Sequence, residues 1–382
     1  MQSDALRSLR VGINGGSTGG LCAGVALRGN GARVDIYERI AGPMETRGAG
    51  IVVQHELTNL LEQFGAPALP HTCCSSRRYL SPDGGDGDLQ PMPQQFTSWE
   101  AIYTTLRAAF PGEHYHTGAS ILSFENTANG IDIELSGKAR RSVDLVVCAD
   151  GAQSETRRRL LPEVMPRYAG YIAWRGSLPE ADVADHLASF FDDKFSFSDA
   201  RSGGHILVYL IPGANADTTA GKRLLNWVWY VHASDAELPE LLTDKDGRRH
   251  HSSLPPGGAT EAAVAALRDH ARREIHPRMA ELVASTPDPF IQTIVDVVVP
   301  RTVFGRACLL GDAAFVVRPH TAGATAKAAS DSMFLAEALV QAQGSVPQAL
   351  QAFESAQIHY GIQMHRYGVA LGNRWARPAS RV

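Results

Sequence analysis

The chain has 382 residues, 44% hydrophobic and 20% charged, which suits two or three globular domains with a large core. A net charge of −4 gives no electrostatic case for nucleic acid. No segment has the apolar length of a membrane span, and Met1 to Arg7 lacks the apolar core of a signal peptide.

A strand over Arg10 to Asn14 runs into the turn Gly15-Gly16-Ser17-Thr18-Gly19-Gly20. A helix leaves the turn, and a second strand covers Arg33 to Glu38. This is the start of a β-α-β unit that binds a dinucleotide. Gly15 permits the tight turn, and Gly20 lets the helix pack closely on the strand. Ser17, where a second glycine normally stands, is still small enough for backbone to approach a pyrophosphate. The helix start offers N–H groups and a positive dipole end to phosphates. Glu38 ends the second strand about 20 residues past the turn, where a carboxylate accepts hydrogen bonds from ribose hydroxyls. Asn14 is polar at a position expected to be apolar, so it needs a hydrogen-bond partner if buried.

Arg47 precedes a glycine-rich bend; it lies either against a cofactor or on the surface. Leu57, Leu60, Leu61 and Phe64 mark an amphipathic helix over Gln54 to Phe64, and Ser81 to Asp88 reads as a loop tip. A second helix, capped by Ser98, places Trp99, Ile102, Leu106 and Phe110 on one face. His114 and His116 form an H-x-H pair with no further ligand at metal spacing, so no metal is expected. Alternation over Ile131 to Leu135 predicts an exposed antiparallel strand. Asp144 to Gly151 is a buried strand ending in Asp150-Gly151. The basic run Arg157-Arg158-Arg159 on the next helix reads as a solvated face. Five widely spaced cysteines, with Cys73 and Cys74 vicinal and Cys148 and Cys308 in apolar runs, suit a reducing cytoplasm.

From about Pro166 to Phe290 the chain becomes aromatic and β-rich. Tyr168 to Gly176, Phe195 to Phe197, His205 to Ile211 and Asn226 to Val231 read as antiparallel strands, followed by a helix over Glu261 to Glu274. Arg248 to His251 reads as solvated loop. Ala307 to Ala314 contains another buried strand, ending in Gly311-Asp312. The loop Arg318 to Ala324 then leads into a long helix, and a final helix carries Leu350, Phe353, Ile358 and Met364. The fold class is α/β. Residues 1–72, 99–165 and 291–382 form a discontinuous Rossmann-like domain, and residues 73–98 and 166–290 an inserted antiparallel sheet that makes one wall of a pocket.

The glycine turn with Glu38, the strand ending Asp150-Gly151 and the strand ending Gly311-Asp312, in that order, resemble the class A flavoprotein aromatic hydroxylases, the family of para-hydroxybenzoate hydroxylase. Gly50 to Gln54, Tyr168 to Gly176, Asp193 to Phe195, Gly204 to Gly213 and Arg318-Pro319-His320 are most similar to the heteroaromatic branch, of the 2,6-dihydroxypyridine 3-hydroxylase type. The resemblance implies that Gly15, Gly16, Ser17, Thr18, Gly19 and Gly20 hold the FAD pyrophosphate. It places Glu38 on the adenosine ribose, Arg39 beside the adenine and Arg47 near the ribityl or flavin edge. Asp150 with Gly151 would serve FAD and the transient nicotinamide cofactor. Gly311 and Asp312 would meet the ribityl chain. Pro319, Ala322, Gly323 and Ala324 would lie along the isoalloxazine, whose reduced anion a helix N-terminus stabilises. Where many relatives have an arginine at the start of the second helix, this chain has Trp99.

The implied chemistry is reduction of FAD by NAD(P)H, addition of O2 as a C4a-hydroperoxide and transfer of OH to a small electron-rich aromatic or heteroaromatic ring, in a cytoplasmic protein that is a homodimer in many relatives. Period two puts His205 and Tyr209 on one side of a strand, as candidates for substrate contact. His320, in the flavin loop, is a candidate to polarise substrate or peroxide. A structural hydrogen bond is the alternative role for each. Epoxidase, Baeyer–Villiger or dehydrogenase chemistry on the same fold, an NAD-dependent dehydrogenase, and a non-catalytic FAD-binding redox sensor stay open as rivals.

Overall fold

The computed structural model describes residues 6–42, 44 and 50–375. Its first sheet is set by apolar runs: Val11, Ile13, Val34, Ile36 and Leu145 to Val147 have almost no solvent exposure, as expected of parallel strands covered on both faces. The six strands lie in the order Val303–Phe304, Ala307–Leu309, Leu145–Cys148, Arg10–Asn14, Arg33–Glu38 and Tyr115–Thr117. All neighbours run parallel except the Val303–Phe304 edge. The helices Thr18–Gly29, Trp99–Ala109 and Ala324–Gln341 share one core with one face of this sheet. A three-stranded meander of Ile121–Asn126, Ile131–Leu135 and Arg140–Val143 packs Ile121, Ile131 and Ile133 with residues of the opposite face.

Asn14 finds its partners at this interface. Its Oδ1 accepts from the Ile121 N–H at 2.9 Å and its Nδ2 donates to Thr156 Oγ1 at 3.2 Å. The polar strand position thus ties the meander and the Glu155–Leu160 helix to the nucleotide sheet.

The second sheet has ten strands. Its central order is Phe290–Val298, Arg167–Pro179, Leu224–His232, His205–Ile211, Lys194–Asp199, Thr72–Leu80, Leu89–Ser98 and Gly50–Val52. It therefore takes in Gly50–Val52 and extends to Val298. Period two sorts its side chains. Trp174, Trp227, Trp229, Ile206 and Val208 share a core with Leu267, Met279 and Val283 of the helices Glu261–Glu274 and Pro277–Ser285. Tyr171, Ala173, Val228 and Tyr230 cluster on the opposite face. The long C-terminal helix Val346–Trp375 packs on Ala324–Gln341, on Phe290–Val298 and on the Pro319–Thr321 turn. Among the described residues, no helix is long and apolar enough to cross a membrane.

The basic run is not uniformly solvated. Arg158 and Arg159 are exposed, but Arg157 is completely buried. It donates to the carbonyls of Ala313 at 3.0 Å and Ala152 at 2.6 Å. A helix turns about 100° per residue, so one of three adjacent arginines faces inward. Here it bridges the segments that follow the Asp150 and Gly311 strand ends.

Candidate active site

The glycine turn is shaped by backbone contact. Gly15 has φ +104°, and a Cβ there would lie 2.4 Å from the Ala149 carbonyl oxygen; one on Gly20 would lie 1.8 Å from the Gly15 oxygen. Glu38, buried, accepts from the N–H groups of Gly16 at 2.8 Å and Ile40 at 2.9 Å. The Tyr115 hydroxyl donates to the Gly16 carbonyl at 2.7 Å. Both polar groups of the Gly16 peptide are therefore engaged within the protein. The N–H groups open to a phosphate are the helix-start orphans of Thr18, Gly19 and Gly20. Thr18 adds a buried Oγ1 with no partner among the described residues.

Sequence reading missed Tyr115. It belongs to a ladder: Trp99 stacks on Tyr103 at 5.1 Å, and Tyr103 and Tyr115 hydroxyls are 3.3 Å apart. Trp99 thus anchors an aromatic buttress behind the turn. Arg39 is exposed at the strand end. Arg47 lies outside the described residues.

The two strand-end aspartates differ. Asp150 caps the following helix, accepting from Ser154 Oγ at 2.5 Å and Thr156 N–H at 3.0 Å. The Asp312 carboxyl makes no such bond, and burial pushes its pKa up from 3.8 to about 6 against the pull of Lys327 and the push of Asp331. It is an acceptor left without a donor among the described residues, which fits a polyhydroxyl chain. Beneath it lies a pair that sequence reading also missed. Lys327 and Asp331 are each 1% exposed, 2.5 Å apart, and Asp331 accepts from the Gly311 N–H at 3.1 Å. Its signal was an i,i+4 Lys-Asp pair inside an alanine-rich helix.

The loop Pro319 to Ala324 turns on Ala322, left-handed at φ +51°. Gln54 Nε2 donates to the Ala322 carbonyl at 3.4 Å. Helix Ala324–Gln341 starts without a side-chain cap, leaving first-turn N–H groups open toward the loop. Open donors, a dipole end and the waiting Asp312 are a donor and acceptor set that matches FAD.

The structure brings His320 to the ten-stranded sheet. Its Nε2 lies 2.9 Å from the Tyr171 hydroxyl, and its ring centroid is 4.3 Å from that of Tyr230 and 5.3 Å from that of His205. Tyr209 lies two residues beyond Leu207 on the same strand face and packs instead on Phe96 at 4.5 Å and Phe195 at 5.1 Å. Burial holds both histidines neutral: His320 falls to about 4, helped by Arg318, and His205 to about 3, helped by His320. Burial keeps the phenols of Tyr171, Tyr209 and Tyr230 protonated well above neutral pH. Arg318, bonded to Asp296 at 2.6 and 2.8 Å, sits beside the Tyr171 ring. The Tyr171 hydroxyl and His320 Nε2 share one hydrogen bond, whose direction sets the tautomer: a Tyr171 O–H donating to Nε2 goes with a His320 proton on Nδ1. His114 and His116 lie elsewhere, both bonded to Asp35, at 3.2 and 2.8 Å.

A family model described as FAD binding domain-like matches residues 168–296. The 2,6-dihydroxypyridine 3-monooxygenase of Paenarthrobacter nicotinovorans is 35% identical over 368 residues, covering 92% of this chain and 88% of that protein. The chain belongs to the class A FAD-dependent aromatic hydroxylases. The solved structure of 2,6-dihydroxypyridine-3-hydroxylase from Arthrobacter nicotinovorans matches this hydroxylase with a TM-score of 0.89 at 32% identity, covering 96% of this chain and 93% of that one. The 6-hydroxynicotinate 3-monooxygenase of Pseudomonas fluorescens is 26% identical, covering 87% of this chain and 83% of that protein. Klebsiella pneumoniae HpxO complexed with FAD and uric acid, at 20% identity, a TM-score of 0.75 and coverage of 97% of this chain and 89% of that one, shares the fold.

Proposed function

We propose that this flavoprotein uses NAD(P)H and O2 to hydroxylate a small electron-rich heteroaromatic ring of the hydroxypyridine type. The observation that carries the reading is the buried aromatic face where neutral His205 and His320 meet Tyr171 and Tyr230, beside the uncapped helix start. The relatives named for 2,6-dihydroxypyridine and 6-hydroxynicotinate support the ring class.

The turn Gly15 to Gly20 would hold the FAD pyrophosphate, with Glu38 and Arg39 at the adenosine end. Asp312 would take the ribityl hydroxyls. Pro319, Ala322, Gly323 and Ala324 would line the ring. Bound FAD supplies the reductive activation of O2, with NAD(P)H as electron source. The chain's residues orient the ring and keep water out: Tyr171, His205 and Tyr230 are each no more than 5% exposed. His320, neutral at working pH, holds the Tyr171 proton at Nε2 and offers Nδ1–H to a ring oxygen. Such a donor stabilises the electron-rich form that accepts oxygen. Tyr209 lines the pocket further along the same strand.

Screening hydroxylated pyridines and phenols for stimulation of NAD(P)H oxidation by the FAD-loaded protein tests this. Hydroxypyridines should accelerate it and gain one oxygen atom. Oxidation that no hydroxylated ring accelerates would reject the reading.

A further inference from the structure

Arg175 lies in the strand Arg167–Pro179, opposite Val228. Period two places it on the same face as Tyr171 and Ala173, and strand register sets it near Tyr230, Asn226, His205 and Tyr209. It is 8% exposed, and its Nε is buried without a hydrogen-bond partner. Among the described residues it forms no salt bridge. Each other buried cation among the described residues has at least one hydrogen-bond partner, Arg78 the Phe190 carbonyl at 2.7 Å. Arg318 has Asp296, Lys327 has Asp331, and Arg157 has backbone carbonyls. A guanidinium stays charged at any working pH, and leaving it buried without a counter-charge is strongly unfavourable.

Among the described residues no carboxylate pairs with Arg175; Asp199 shares its sheet face, opposite His205, but three strands away. Asn226 is an amide, and its Oδ1 is taken by the Gly50 N–H. Tyr209 and Tyr230 both feel the positive field of Arg175, yet burial keeps them neutral. His205 and His320 are neutral as well, and Asp296 on the neighbouring strand is committed to Arg318.

We propose that Arg175 is the anion-recognising residue of this pocket, so that the aromatic substrate is taken with an ionised oxygen, ring oxide or carboxylate, against its guanidinium. The inference rests on the reading of this pocket as the substrate site, and it deepens that reading. The ring oxide is the more electron-rich form of a hydroxylated ring. Arg175 therefore selects the species that reacts, and His320 Nδ1–H supplies a second donor to the same charge. Sequence reading passed over Arg175, inside the stretch Tyr168 to Gly176, because strand alternation alone does not say that it would be left without a carboxylate partner.

The test is equilibrium binding to the FAD-loaded protein, read by perturbation of flavin absorbance. The probes are 2,6-dihydroxypyridine, its dimethyl ether and 6-hydroxynicotinate. Arg175→Gln should weaken both ionisable probes by roughly 10- to 150-fold, the effect of removing a charge-assisted hydrogen bond. The ether should bind as before, and Arg175→Lys should recover part of the loss. An effect on the dihydroxypyridine alone identifies the ring oxide as the bound group, and one on 6-hydroxynicotinate alone the carboxylate. If the Gln variant discriminates ionisable probes from the ether as the parent does, the proposal is wrong. It is equally wrong if only the flavin potential moves.

Should the Gln variant fail to hold FAD, the parent decides. The ether, which has no hydroxyl to ionise, reports any titration of the protein's own groups, such as His232 and Asp199 on this face and His365 beside Asp296. Affinity for the dihydroxypyridine should rise relative to the ether as its hydroxyl ionises; two parallel profiles overturn the proposal. A yellow parent that binds none of the probes rejects the functional reading itself, which is a distinct result.

Discussion

Replacing Asp312 by Asn should change the FAD-free and FAD-bound proteins in opposite directions. Burial raises this carboxyl from 3.8 to about 6, with Lys327 and Arg157 only partly opposing. Each pKa unit corresponds to about 1.4 kcal/mol, so the ionised group costs the FAD-free fold on the order of 3 kcal/mol at pH 8. The folded pKa lies above the unfolded one. The penalty is therefore absent below about pH 4 and complete above about pH 6. Asp312→Asn should raise FAD-free stability by about 3 kcal/mol at pH 8 and by almost nothing at pH 4. FAD, in contrast, loses a charged acceptor for its ribityl hydroxyls, worth about 1.5–3 kcal/mol, or roughly 10- to 150-fold in Kd. Urea midpoints at the two pH values and fluorescence titration with FAD read both quantities. A variant destabilised at pH 8 without FAD, or one that binds FAD as tightly as the parent, would refute the assignment of Asp312.

His320→Ala should slow product formation by about 100-fold or more, with FAD still bound; a variant that hydroxylates as fast as the parent removes His320 from the mechanism. His205 and His320 have folded pKa values of about 3 and about 4, below the ordinary 6.5. Their share of stability is therefore present above pH 6.5 and drains on acidification, by on the order of 3 kcal/mol per histidine at pH 4. A His205→Gln, His320→Gln double variant should show a flatter acid limb in urea unfolding, and an unchanged limb would contradict their burial as neutral rings. Arg157→Met should cost on the order of 3 kcal/mol in the same assay, whereas Arg158→Met should stay within about 0.5 kcal/mol; equal effects would mean that Arg157 is not inside. Gly20→Ala, whose Cβ would lie 1.8 Å from the Gly15 oxygen, should yield protein with little bound flavin, measured as absorbance at fixed protein concentration.

The parts of this site that sequence reveals are those where backbone geometry dictates residue type. A tight turn before a helix demands glycine at Gly15 and Gly20, and the strand-end pairs Asp150-Gly151 and Gly311-Asp312 follow apolar runs that name themselves. The Ser98 cap is equally local, accepting from the Ala101 N–H at 3.0 Å. What stayed hidden depends on which surfaces meet. Arg157, Arg158 and Arg159 look alike in sequence, and only packing against the Ala313 carbonyl separates the first. Tyr115 is one aromatic among several until its hydroxyl meets Gly16. His205 and Tyr209 share a strand face, yet only the approach of the His320 loop determines which ring it meets. Lys327 and Asp331 read as an ordinary helix pair, because nothing local announces that both will be sealed beneath the Gly311 turn.

The central claim is that one flavin, cradled by distant segments of the chain, inserts oxygen into a ring held against the aromatic sheet face. Isotopic labelling tests it most directly: FAD-loaded protein, NAD(P)H and 2,6-dihydroxypyridine under labelled O2, with product mass as readout. The account predicts one labelled oxygen atom in each product molecule. Product carrying oxygen from water, or oxidised with no oxygen added, would contradict it.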